Sequence, residues 1–264
     1  MKLTLKTPVL ITTLLALYIP LRAAPDTSVP LDAVSSSVWA KIEAGIPGTG
    51  PMIDRKSFEH FWVKRISEFV QNREAEQGAV VFLGDSITAQ WDLKSNFPTL
   101  KTANHGIPGD TTRGMLLRFN EFVVGLKPPV IVFHGGVNDL FKVKQGASPE
   151  TVAANMRALL TAIHAHLPAT RVIVCETMPC KKSGMDATIV ATNRLVDAVV
   201  ADFPQAQRLV MHDRFLGTDG QLNDSLFRDG THPSKAGYAE WKAALQPVLE
   251  KLPEASSAMK SVQP

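Results

Sequence analysis

The chain has 264 residues, 45% of them hydrophobic and 20% charged. That composition excludes a disordered or fibrous protein, and the length allows a sizeable core. The formal charge of +3 comes from Lys2, Lys6 and Arg22 within an acid-free first 24 positions; the rest carries 25 basic against 25 acidic residues. With no basic run and no interleaving of aromatic and basic side chains, nucleic acid is excluded as a partner.

The first 25 residues, MKLTLKTPVLITTLLALYIPLRAAP, set Lys2 and Lys6 before an apolar stretch from Pro8 to Leu21 and then place small residues at Ala23 and Ala24. This is the layout of a secretory signal. The apolar run is short for a membrane-spanning helix, which takes about 20 residues. The expectation is a signal peptide over 1–24, export to the periplasm or beyond, and no stable membrane insertion after cleavage. Residues 25–50, rich in Ser, Pro and Gly, read as a flexible arm. A single domain is expected over 51–254 and a C-terminal tail over 255–264.

From Ser57 to Glu74 the apolar residues Phe58, Phe61, Trp62, Ile66, Phe69 and Val70 fall on one helical face, most simply a core face. Short apolar runs of strand length follow at 79–84, 129–135, 171–177 and 208–213. Helical patterns lie between and after them, around 112–125, at 149–166, at 186–202 and from Ser234 onward. All-apolar strands alternating with amphipathic helices predict one α/β domain with a parallel sheet covered on both faces.

Ligands of open parallel sheets bind beyond the carboxyl ends of the strands. The segments found there are Gly84-Asp85-Ser86, NHGIPGDTT (104–112), GGVND (135–139), ETMPC (176–180) and RDGTHPS (228–234). Ser86 alone reads more simply as a helix N-cap, and Asp85 as a turn residue that supports its loop. Asp229 and His232, three apart, allow a carboxylate to accept the imidazole Nδ1–H and aim Nε2 at a hydroxyl, the orienter and base of a Ser-His-Asp relay. The same pair also fits a capped turn before the helix at Ser234. An attack on a carbonyl further needs donors for the oxyanion, and the Ser86 amide, Gly106 and the Asn138 side chain are candidates. The glycines of 104–112 match no phosphate-binding pattern.

GDSIT, NHGIPGD, GGVND and DGTHPS, in this order, resemble blocks I, II, III and V of the SGNH hydrolases, the GDSL esterase/lipase superfamily, and most of all the branch resembling the catalytic subunits of platelet-activating-factor acetylhydrolase. The resemblance runs from about Ser57 to Leu252. It implies a three-layer αβα sandwich with a mainly parallel, flavodoxin-like sheet of about five strands, the SGNH hydrolase fold. It implies Ser86 as nucleophile, Asp229 and His232 as the rest of the triad, and an oxyanion hole of Ser86, Gly106 and Asn138. Ile87 replaces the leucine of the family name, and Ser86 does not lie in a G-x-S-x-G elbow. His105, Trp91 and Arg113 are candidate substrate contacts, whereas His134 and His212 read as structural.

The expected activity is that of an exported serine esterase removing short acyl groups, acetyl foremost, from a carbohydrate or other alcohol. Its partner is a small-molecule or glycan ester, and no metal or organic cofactor is called for. A lipase, lysophospholipase or thioesterase would want an extended apolar groove or lid, and a non-catalytic binding module would not need Ser86, Asn138, Asp229 and His232 together. Cys175 and Cys180 leave two readings open: a disulfide, permitted by export, or a buried strand-end thiol beside a free one. Oligomeric state is also left open.

Overall fold

A computed structural model of the chain describes residues 55–141, 147–182 and 184–260. The expected signal peptide, the arm and the first residues of the domain lie outside them. Helix α1 spans Arg55–Asn72. Five strands follow: β1 Val80–Gly84, β2 Thr102–Gly106, β3 Val130–His134, β4 Arg171–Cys175 and β5 Ala206–Leu209. They form one all-parallel sheet in the order β2-β1-β3-β4-β5.

The alternation along each strand divides the core in two. Phe82, Val132, Ile173, Cys175 and Leu209 face a layer containing Trp91, Trp241 and Leu245. Val81, Leu83, Ile131, Phe133, Val172 and Val174 face Phe119, Met156, Leu160 and Ile163. Because both faces are covered, the inner strands β1, β3 and β4 read as nearly continuous apolar runs. The covering helices are α4 (Thr112–Phe122), α6 (Pro149–His166), α7 (Met185–Val200) and α8 (Lys235–Glu250). Three short helices complete the strand ends: α2 (Ser86–Ala89), α3 (Leu93–Asn96) and α5 (Val137–Phe141). Hydroxyl side chains set several of the starts: Thr111 caps α4, Ser148 caps α6 ahead of Pro149, and Ser234 caps α8. On α1 the expected stripe is buried at Trp62, Ile66 and Phe69, which pack on Ile107 and Phe122, while Phe61 is exposed.

Three differences from the sequence reading have local causes. β2 (TANHG) is an edge strand with polar residues, so it carries no apolar run. The run at 208–213 pairs only as far as Leu209, because the amides of Met211 and His212 turn to the buried Glu176 carboxylate at 2.7 and 3.0 Å. Residues 255–260 are not a tail: a final helix, α9, spans Pro253–Lys260 and buries Ala255 and Ala258. Cys175 and Cys180 are both free and buried, and burial pushes the Cys175 thiol up to about 12.

Candidate active site

Gly84 of β1 pairs in register with Gly106 of β2 and His134 of β3, so three strands end level. Gly84 has to be glycine: a Cβ there would lie 2.0 Å from Thr88 Oγ1 and 2.6 Å from the His134 carbonyl. That close approach lets the chain turn at once into α2. Asp85 caps the turn by accepting the Ile87 N–H at 2.9 Å, the loop-supporting role expected of it, and Ser86 emerges half-buried at the rim.

From the other side comes the segment before α8. Asp229 Oδ1 accepts the amides of Thr231 and His232 at 3.0 and 2.8 Å, and its Oδ2 accepts His232 Nδ1–H at 2.8 Å. His232 Nε2 then lies 2.9 Å from Ser86 Oγ. Residues 146 positions apart in sequence thus form one hydrogen-bonded line. Burial works against the Asp229 charge, but the His232 and Thr231 amides and the imidazole outweigh it and hold the carboxyl at about 2. Asp229 is therefore an anion wherever the chain is folded and neutral, which fixes the His232 tautomer with Nε2 free to accept.

Several contacts that the sequence did not suggest keep this line in place. The Tyr238 hydroxyl of α8 donates to the Ile87 carbonyl at 2.7 Å. Arg228 reaches the Gln90 side chain beyond α2, and its amide donates to the His232 carbonyl at 2.9 Å. The Lys181 amide donates to the Gly230 carbonyl at 2.7 Å.

Asn138 sits on α5 with its Nδ2 donating to the Asp110 carbonyl at 2.9 Å, which places the 107–110 turn beside it. Gly106, expected to donate to an oxyanion, is otherwise engaged. Its N–H goes to Asn104 Oδ1 at 3.0 Å and its carbonyl accepts from Arg65 at 2.9 Å. Gly109, three residues on, adopts φ +76°, a left-handed conformation that favours glycine. Among the described residues no hydrogen bond takes its N–H.

Two expected substrate contacts are corrected. Trp91 is 2% exposed, stacked on Trp241 at 4.3 Å and edge-on to Phe82 at 5.6 Å; it is core. His105 is fully buried, donates to Glu76 at 3.0 Å and stacks on Phe69 at 4.1 Å. Burial lowers its pKa. Arg113 is half-buried on the first turn of α4. His134 and His212 are buried, as structural residues would be, and burial pushes His134 down to about 4.

Below the rim lies a polar network that the sequence reading did not anticipate. Asp85, Asp110 and Asp139 are all 0% exposed, and Arg118 is 1% exposed. Arg118 donates to Asp110 at 2.8 Å and to the Gly84 carbonyl at 2.9 Å. Asp139 accepts the Thr112 hydroxyl at 2.6 Å, and that hydroxyl accepts from Asn155 at 2.9 Å. The only signal in the sequence was position: Asp110 and Asp139 lie within two of the strand-end segments. Among the described residues, no group of three or more His, Cys, Asp or Glu is placed to hold a metal ion.

A level strand edge with a Ser–His–Asp line is an arrangement suited to hydrolysis by a serine hydroxyl, and comparison with known proteins gives the class. The family model described as the GDSL-like lipase/acylhydrolase family matches residues 82–240, more than half of the chain, and the chain belongs to that family. It is a carboxylic ester hydrolase. It is 28% identical over 198 residues to the platelet-activating factor acetylhydrolase IB subunit alpha1 of Pongo abelii, covering 72% of this chain and 84% of that protein. Its fold is shared with a GDSL-like lipase from Bacteroides thetaiotaomicron (TM-score 0.62, 23% identity, covering 70% of this chain and 97% of the other). It is shared as well with an acetylxylan esterase from Geobacillus stearothermophilus (TM-score 0.55, 20% identity, covering 65% and 94%).

Proposed function

We propose that the protein is an exported serine esterase that hydrolyses short-chain esters, acetyl esters foremost, of a carbohydrate or other alcohol through an acyl-enzyme. The observation that carries the mechanism is the line from Ser86 Oγ through His232, at 2.9 Å, to Asp229, at 2.8 Å. Ser86 Oγ attacks the ester carbonyl while His232 Nε2 takes its proton, and Asp229 stabilises the imidazolium. The carbonyl oxygen becomes an oxyanion facing the Ser86 amide and the Asn138 side chain, with the Gly109 amide, in place of Gly106, as the second backbone donor. On collapse, His232 returns the proton to the departing alcohol. Water, activated by the same imidazole, then releases the acid and restores Ser86.

The acetyl preference draws support from the names of two similar proteins, an acetylhydrolase subunit and an acetylxylan esterase. Export draws on the Lys2/Lys6, apolar, Ala23/Ala24 layout. Among the described residues no helix is long and apolar enough to cross a membrane. Nitrophenyl esters of rising chain length, assayed beside acetylated xylo-oligosaccharides, test the reading. Activity should fall as acyl chains pass hexanoyl, and equal turnover of long-chain esters would overturn the short-chain assignment. N-terminal sequencing of secreted protein should begin near Ala24 to Asp26.

A further inference from the structure

Asp85 precedes the nucleophile, yet its carboxyl is shut away from water. One oxygen accepts the Ile87 N–H at 2.9 Å, and the other lies 3.5 Å from Asn138 Nδ2. The Asn138 amide has two protons. One is held by the Asp110 carbonyl at 2.9 Å, so the other is shared between the Asp85 carboxyl and whatever oxyanion forms beside Ser86.

The groups around Asp85 do not supply it with a cation of its own. Asp110 faces it from the turn after β2 and Asp139 from α5, and both add their repulsion. Arg118 of α4 donates to Asp110 and the Gly84 carbonyl, and although its charge also reaches Asp85, Asp110 is its stronger partner. Tyr238 of α8 contributes a neutral hydroxyl that donates to Ile87, and His134 on β3 is neutral. Three buried acids against one guanidinium favour a proton on at least one of them. Desolvation first, then the charges of Asp110 and Asp139, push Asp85 up to about 7 against the pull of the Ile87 amide.

We propose that Asp85 is a positioning residue that acts as a neutral acid: protonated, it leaves the Asn138 N–H to the oxyanion, and ionised, it captures that N–H. The inference rests on the esterase reading above. Its consequence is an alkaline loss of kcat that a triad alone does not produce, since a base such as His232 only gains as its proton leaves.

The test is the pH profile of kcat for the full-length enzyme on a soluble acetyl ester, each variant normalised to its own maximum. Wild type should fall about 10- to 100-fold between its optimum and about pH 9, no more than the ~10²–10³-fold for losing one oxyanion donor outright. In Asp85→Asn the fall should vanish. In Asn138→Ala, which lacks the captured group, it should vanish too, so the inference stays testable if Asp85→Asn does not fold. A wild-type profile that stays flat to about pH 9 overturns the inference, as does an alkaline fall that survives both variants. A fall that survives Asp85→Asn but is lost in Asp139→Asn assigns the titration to Asp139, and also overturns it. Ser86→Ala, run alongside, separates the two levels: full activity there would refute the esterase mechanism itself.

Discussion

The segment carrying Asp229 and His232 and the pocket holding Asp85, Asp110 and Asp139 meet at Ser86, and they treat one residue type in opposite ways. Asp229 is more than half exposed, accepts two backbone amides and an imidazole N–H, and is held at about 2. Asp85 and Asp139 are fully buried and are pushed up to about 7, desolvation being the largest cause for both. The difference is not one of proximity to the catalytic hydroxyl. It is whether donors aimed at the carboxylate outweigh the loss of water. An orienter for a general base has to be an anion at working pH, and the exposed site provides that. The buried site stores protons instead, and they reach the chemistry only through neighbours such as Asn138.

The comparison breaks most sharply at the nucleophile. Ser86→Ala and His232→Ala should each lower kcat by about 10⁴–10⁶-fold, and the double variant should be little worse, because the residues act as a unit. Near-normal ester hydrolysis by folded Ser86→Ala would remove the exposed segment from catalysis altogether. Next comes Asp229→Asn, which keeps the shape but allows His232 the wrong tautomer. A fall of about 10⁴-fold in kcat is expected. A loss under tenfold would mean that the backbone amides at Asp229, and not its charge, orient the ring. Asn138→Ala should cost about 10²–10³-fold, or about 2.7–4 kcal/mol, the range for one oxyanion donor. The loss should fall on kcat with KM little changed, because that contact strengthens as charge develops. A change confined to KM would place Asn138 in ground-state binding.

Much of this was legible in the sequence, and the rest was hidden for identifiable reasons. The strand-end segments carried Ser86, Asn138, Asp229 and His232 because a parallel sheet delivers its loops to one edge, and the fold brings all four to that edge. The choice of glycine was not legible. Gly106 ends β2 and Gly109 lies in the turn after it, and only the Asn104 carboxamide, bonded to the Gly106 N–H at 3.0 Å, shows which is engaged. Trp91 lies close in sequence to Ser86 and His105 within block II, but position in the sequence does not reveal which side of a short helix or strand faces the core. Both turned inward, onto Trp241 and Phe69. β2 escaped notice because an edge strand can keep polar residues. The Asp85–Asp110–Asp139–Arg118 network escaped for a related reason: charged residues suggest solvent until their partners are seen.

The remaining expected effect is on stability, and the same contrast gives its sign. Asp85 and Asp139 hold their protons in the folded chain up to about 7, against 3.8 for an unperturbed aspartate. The folded state therefore binds more protons than the unfolded state through that window, and stability should decline as pH rises across it. Asp229 runs the other way: lowered to about 2, it contributes stability above the ordinary aspartate range that is lost as pH falls through its folded value. Its exposure screens that contribution, so the buried pair should dominate and the maximum should lie on the acid side of neutrality. Urea midpoints should accordingly decrease from about pH 4 to about pH 7. Asp85→Asn keeps an acceptor for the Ile87 N–H but no longer titrates, so it should flatten part of that decline and leave the remainder to Asp139. If the Asp85→Asn midpoints follow the wild-type slope over the whole range, Asp85 carries the same charge folded and unfolded, and the proton-storing role of the buried pocket falls with it.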